Sequence, residues 1–130
     1  MPWWDHEEKG FSKSWSLFLF TFASAMQQLI HYFLHIIFPL FVAWLINKPH
    51  WFKTYLILML TMLVDLDHLL ATPIFNPCRC SIGFHPLHSY IAIGAYFLLL
   101  IPRTTRIIAI GLLLHMLADG IDCLFILHLI

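Results

Sequence analysis

Charge is scarce in this sequence. Seven acids and seven Lys or Arg among 130 residues make 11% charged, with a formal net charge of zero. No basic stripe exists, so nucleic acid is not an expected partner. Glycine is sparse at five residues and the cysteines number three, too few for a disulfide-built scaffold. The first residues, Met-Pro-Trp-Trp-Asp-His-Glu-Glu, carry acids where a secretory signal requires cations, so no cleaved signal is expected. What abounds is apolar surface: 61% of the residues are hydrophobic, and mean hydropathy is +0.83. A soluble domain of this length could not hide that surface, whereas a lipid-facing one has no need to.

The apolar stretches predict an all-α, polytopic membrane protein of about four transmembrane helices, preceded by an N-terminal interfacial helix. Residues 1–27 form the polar edge and the interfacial helix; residues 28–130 form the four-helix metal-binding domain. Residues 15–26 read as that interfacial helix or as an upstream extension of the first span. The spans are expected at roughly 28–46, 54–71, 86–101 and 104–127. Asn47-Lys48-Pro49-His50 marks a turn. The third span is short for a full crossing and starts at Pro86, a favoured first helical residue. Lys48 and Lys53 lie in the first loop, Arg103 and Arg106 in the third. By the positive-inside rule those loops are cytoplasmic. The N-terminus, the long second loop and the C-terminus then face the periplasm across a bacterial inner membrane. On that oxidising side, Cys78 or Cys80 could pair with Cys123.

Against this apolar background the polar residues are conspicuous. A charged group at mid-span costs about 2.5–3.5 kcal/mol on the insertion scale. Even so, Asp65, Asp67, Asp119 and Asp122 lie in the second and fourth spans, with His31, His35, His68, His85, His88 and His115 in or beside spans. Residues three or four apart share a helix face. His31 with His35, Asp65 with His68, His85 with His88, and His115 with Asp119 then Asp122 each form such a stripe. Asp67 points about 200° away from Asp65 in an ideal helix. Counted from the cytoplasmic ends, all four pairs rise to about 13–24 Å, in the outer half of the membrane. Eight or nine nitrogen and oxygen donors at one level suffice for two divalent ions, with Zn²⁺ first and Mn²⁺ or Fe²⁺ as alternatives. The metal ligands expected are His31, His35, Asp65, His68, His85, His88, His115, Asp119 and Asp122. A polar network or proton path without metal is the competing reading. His6, His50 and His128 read as surface residues.

Three motifs carry a resemblance: Asp65-Leu66-Asp67-His68, His85-Pro86-Leu87-His88-Ser89 and His115-Met116-Leu117-Ala118-Asp119. They resemble the inner-membrane metal-dependent hydrolase family, the LexA-binding membrane hydrolases. The stretch from His31 to Cys123 is closer still to a small bacterial membrane family named only as a domain of unknown function. The resemblance covers roughly residues 28–125. Pro86 stands where the hydrolase family carries Arg, and the His85-to-His88 gap is one residue shorter. A looser similarity reaches the zinc phospholipases of the C type. The resemblance implies a metal-dependent hydrolase, and the height of the polar pairs in the outer half of the membrane favours a lipid or lipid-linked substrate, a phosphoester first, entering sideways from the outer leaflet. Asp67 is then expected as general base or as orienter of a ligand His, Ser89 as a phosphate contact, and Arg79 as partner of an anionic headgroup. A divalent metal transporter and a metal-stapled subunit of a membrane complex are the alternatives. A homodimer interface is where a transport path would have to form, because the cytoplasmic halves of the spans lack acids and histidines.

Overall fold

The computed structural model describes residues 4–74 and 79–129, with side chains described over 14–74 and 79–127. The described residues are helical throughout their regular structure. Helix α1 (Trp4–Tyr32) passes through a π-helical turn, Phe33–Ile37, directly into α2 (Phe38–Ile46). The π turn immediately precedes Pro39, which has no N–H to offer the preceding turn and crowds its carbonyl. Widening the helix by one residue accommodates that proline, and the Phe38 amide reaches back to the Phe33 carbonyl. Residues 15–26 are therefore continuous with the helix that carries His31 and do not form a separate helix. Asn47, with extended φ of −146°, ends α2, and a 3-10 turn at Lys48–His50 reverses the chain.

Helix α3 (Trp51–Leu60) continues as a 3-10 helix over Thr61–Leu70, where the sequence predicts an unbroken α-helix. At the change of pitch, the Thr61 hydroxyl donates to the Leu58 carbonyl at 2.6 Å. Such back-bonding by Thr disturbs helical pitch. A long connection follows. It ends in the 3-10 turn Pro86–His88, and Ser89 caps α4 (Tyr90–Leu98) by accepting from the Ala92 amide. Nine residues of α-helix rise only about 14 Å, too little to cross a hydrocarbon core alone. Helix α5 (Arg106–Leu129) then packs against α1, α3, α4 and the 3-10 segment, making it the central element. Thr105 closes the turn into it by donating to the Leu99 carbonyl at 2.7 Å.

Among the described residues two helices, where the sequence predicts four spans, are long and apolar enough to cross a membrane, Ser14–Ile46 and Arg106–Leu127. The distribution of side chains is inverted relative to a water-soluble protein. Trp15, Phe18, Phe20, Leu29, Leu66, Leu70 and Ile91 are exposed, while His35, Asp67, His85, His88, His115 and Asp119 are buried. The small apolar core of Val64, Tyr96 and Met116 lies beside these polar groups. Cys80 is joined to Cys123 with Cα atoms 4.9 Å apart, which pins the connection to the far end of α5. The alternative partner Cys78 lies outside the described residues.

One close approach fixes the packing of α5 on the second segment. A Cβ built on Gly111 would meet Thr61 Oγ1 at 2.5 Å and Cγ2 at 2.8 Å. Gly111→Ala should therefore cost about 1–3 kcal/mol by overpacking. Thermal unfolding of Gly111→Ala, Thr61→Ala and the double variant checks this: the double variant should be more stable than Gly111→Ala alone. Equal instability would show that the contact does not set the packing.

Candidate metal centre

Tautomers build the site. A histidine nitrogen facing a group that can only accept must itself carry the proton. His88 Nδ1 faces the Asp67 carboxylate at 3.1 Å. His35 Nδ1 faces the backbone carbonyl of His31 at 3.0 Å. His115 Nδ1 faces the Met62 thioether at 3.1 Å, and His31 Nδ1 pairs with Asp122. All four rings are thus fixed through Nδ1, and as neutral imidazoles they present the Nε2 lone pair. Orientation of a ring through its second nitrogen is the usual support for a metal-binding histidine.

Those lone pairs meet acceptors, not donors. His88 Nε2 lies 3.3 Å from His115 Nε2, 3.0 Å from Asp119 Oδ2 and 3.4 Å from Asp65 Oδ1. His115 Nε2 lies 3.0 Å from Asp65 Oδ1 and 3.5 Å from Asp119 Oδ2. A tetrahedron with ligand bonds of about 2.0–2.1 Å has edges of about 3.3 Å. Five of its six edges are matched here to within a few tenths of an ångström. Asp119 Oδ2 is buried and has no hydrogen-bond donor, and the same holds for His35 Nε2. Buried polar atoms without partners are costly, and a cation at the centre of this group removes that cost. The Asp65–His88–His115–Asp119 cluster can hold a metal ion.

The remaining donors fall into two further groups. Asp119 turns its other oxygen, Oδ1, toward His35 Nε2 at 3.7 Å, and His31, His35 and Asp119 form a second cluster with metal-binding spacing. The His31 and His35 rings stack at 4.1 Å between centroids. Asp119 thus faces both clusters. Asp67, His68 and His85 form the third. His85 lies on the connection before the third span, where burial, and then the neighbouring His68, push its imidazole below the ordinary value and favour the neutral ring.

Several expectations change in detail. His85 and His88 do not share one stripe, because the backbone is extended at His85 (ψ 148°) and the two rings enter different clusters. Asp67 is buried, its Oδ2 accepting from the Leu87 amide at 2.8 Å as well as from His88. That places Oδ2 behind His88 as an orienting atom, while the second oxygen, Oδ1, faces His68 Nδ1 at 3.2 Å. Asp122 is taken up by His31 and belongs to none of the three clusters. Ser89 Oγ accepts from the Ala92 amide at 3.2 Å as the cap of α4. Arg79 donates to the Pro73 and Ile74 carbonyls at 2.9 and 3.2 Å and lies over the Phe84 ring, so its guanidinium is engaged within the loop. The sequence reading missed Met62, Ser81 and Tyr96. Ser81 Oγ lies 3.1 Å from His68 Nε2, and the Tyr96 hydroxyl donates to the Leu87 carbonyl at 2.9 Å. Only Tyr96 left a signal, since a tyrosine inside an apolar span needs a partner for its hydroxyl.

Removing the Asp67 carboxylate should loosen the His88 ring without removing a central donor. Asp67→Asn is expected to weaken Zn²⁺ binding about 10–100-fold, the range for an orienting partner. Competition titration against a chromogenic chelator reads this. Unchanged affinity would show that Asp67 does not hold His88 for a metal.

Comparison with known proteins agrees with the closer of the two resemblances and gives no support to the hydrolase one. No curated protein and no solved structure matches the chain. A family model matches residues 25–126, beginning within α1 and ending just past Cys123. The chain belongs to that family, described as a family of unknown function (DUF6122).

Proposed function

We propose that the protein is a membrane-embedded, metal-dependent hydrolase with two divalent ions, acting on a lipid or lipid-linked phosphoester. The observation that carries the metal is the near-tetrahedral meeting of His88, His115, Asp65 and Asp119. Asp65, His88, His115 and Asp119 would hold one ion; His31, His35 and the second oxygen of Asp119 would hold the other. Zn²⁺ suits this mixture of imidazole and carboxylate best. When bound, such a pair supplies a water of lowered pKa and a clamp on phosphoryl oxygens. The chain's own residues do the rest. Asp67 and the His31 carbonyl fix the His88 and His35 tautomers. Met62 and the Tyr96 hydroxyl steady His115 and the His85–Ser89 turn.

Access favours catalysis over a staple. Three of the four central donors are buried, but 46% of the Asp65 side chain is exposed. A structural site is closed, whereas a catalytic one keeps an open position. Leu66, Leu69 and Leu70, on the same segment, are exposed beside it. An opening bordered by leucines suits a substrate arriving sideways from the lipid. In this reading the four apolar segments lie in the membrane as a bundle, with the Lys48 and Arg106 end cytoplasmic. The Cys80–Cys123 bond supports placing the opposite end, with the site, on the oxidising periplasmic side. Transport is less well supported, because residues 38–46, 90–98 and 107–114 carry no acid or histidine.

The test uses detergent-purified protein and a fluorogenic phosphodiester lipid. Chelation should abolish hydrolysis and Zn²⁺ should restore it. Asp65→Asn should lower kcat at least about 100-fold while helical circular dichroism is retained. Zn²⁺ flux into proteoliposomes that is lost with Asp65→Asn, without any hydrolysis, would instead establish transport.

A further inference from the structure

The third cluster shares no residue with the two just described, although its His68 Nδ1 lies 3.4 Å from Asp65 Oδ1 of the central group. Its donors, Asp67, His68 and His85, come from the 3-10 segment and the connection after it, with none from α1 or α5. His68 Nδ1 and Asp67 Oδ1 lie 3.2 Å apart. Both atoms are buried, and neither has a hydrogen-bond partner. Asp67 has only 3% of its side chain exposed. A carboxylate oxygen buried without a donor next to an imidazole nitrogen points to a missing positive charge. The His85 ring stands against the His68 ring with centroids 3.9 Å apart, completing three donors.

The surroundings look built for these rings. Ser81 holds one ring and one backbone: its hydroxyl lies 3.1 Å from His68 Nε2, and its carbonyl accepts from the His85 backbone amide at 3.3 Å. With Nε2 turned to Ser81, His68 Nδ1 is the atom left for a cation. Ser81 follows Cys80, which is anchored to Cys123. Gly83, at a φ of +81° that L side chains rarely adopt, folds the connection back so that its amide reaches the His88 carbonyl at 2.9 Å.

We propose that Asp67, His68 and His85 bind a further divalent cation, separate from the two in the bundle. Three protein donors leave a coordination position for water or an anionic oxygen. Asp67 links this site to the main one, since its Oδ2 orients His88 while its Oδ1 faces His68. The proposal rests on the metal-centre reading above, and the experiment separates the two. Metal-stripped full-length protein in detergent is titrated with Zn²⁺ against a chromogenic chelator. His85→Ala should lose one equivalent and keep the others. Asp119→Ala should lose the central equivalents and keep the one that depends on His85. Ser81→Ala should retain every equivalent but bind one of them at least about 10-fold more weakly. An unchanged count in His85→Ala, or loss of all equivalents together, overturns the third site. An unchanged count in Asp119→Ala overturns the central reading instead.

Discussion

Lone pairs facing lone pairs govern this structure. His88 and His115 present their Nε2 atoms to one another at 3.3 Å and to the carboxylates of Asp65 and Asp119. Nothing in that arrangement is stable at low dielectric without added positive charge. A proton can join two of these acceptors, whereas a divalent ion engages all four at once. The spacing matches the edges of a ligand tetrahedron, which a proton would not require. The rest of the fold can be understood as the means of bringing four segments to that point.

Each segment contributes by a different device. Helix α5 carries His115 and Asp119 one turn apart and packs against nearly every other element. The π turn before Pro39 holds His35, and its Nδ1 is satisfied one turn back at the His31 carbonyl. The 3-10 segment twists Asp65 and Asp67 to different neighbours, one toward the central group and one behind His88. The connection delivers His88 from a 3-10 turn rather than from a helix, secured by Tyr96, Gly83 and the Cys80–Cys123 bond. His35, Asp65, Asp67, His68 and His88 thus lie on departures from ideal α-helix, whereas His31, His115 and Asp119 lie on regular α-helix. Such π and 3-10 stretches often mark functional sites.

Much of the donor set was legible because lipid-like surroundings make a polar side chain costly. Against so apolar a background, His31, His35, Asp65, His88, His115 and Asp119 needed a shared explanation. A three-residue spacing keeps two side chains on one face in both 3-10 and α geometry, so the change of pitch at Thr61 did not hide Asp65 and His68. Asp67 was harder: ideal α geometry turns it away, and only the tighter 3-10 winding and the returning connection bring His88 to it. Ser89 and Arg79 were expected to meet a substrate, but local backbone groups engage both side chains, one as a helix cap and one as a loop clasp. Ser81 and Met62 left no mark, because a single hydroxyl or thioether in a loop or span has no pattern. The long first helix was half visible, since hydropathy set its span but could not show that residues 15–26 continue it.

X-ray absorption at the zinc edge of the purified, zinc-loaded protein tests the central claim most directly. The expected spectrum shows a first shell of nitrogen and oxygen only, at about 2.0–2.1 Å, with the outer-shell scattering of at least two imidazoles per site. A shell containing sulfur, or one without imidazole, would contradict it.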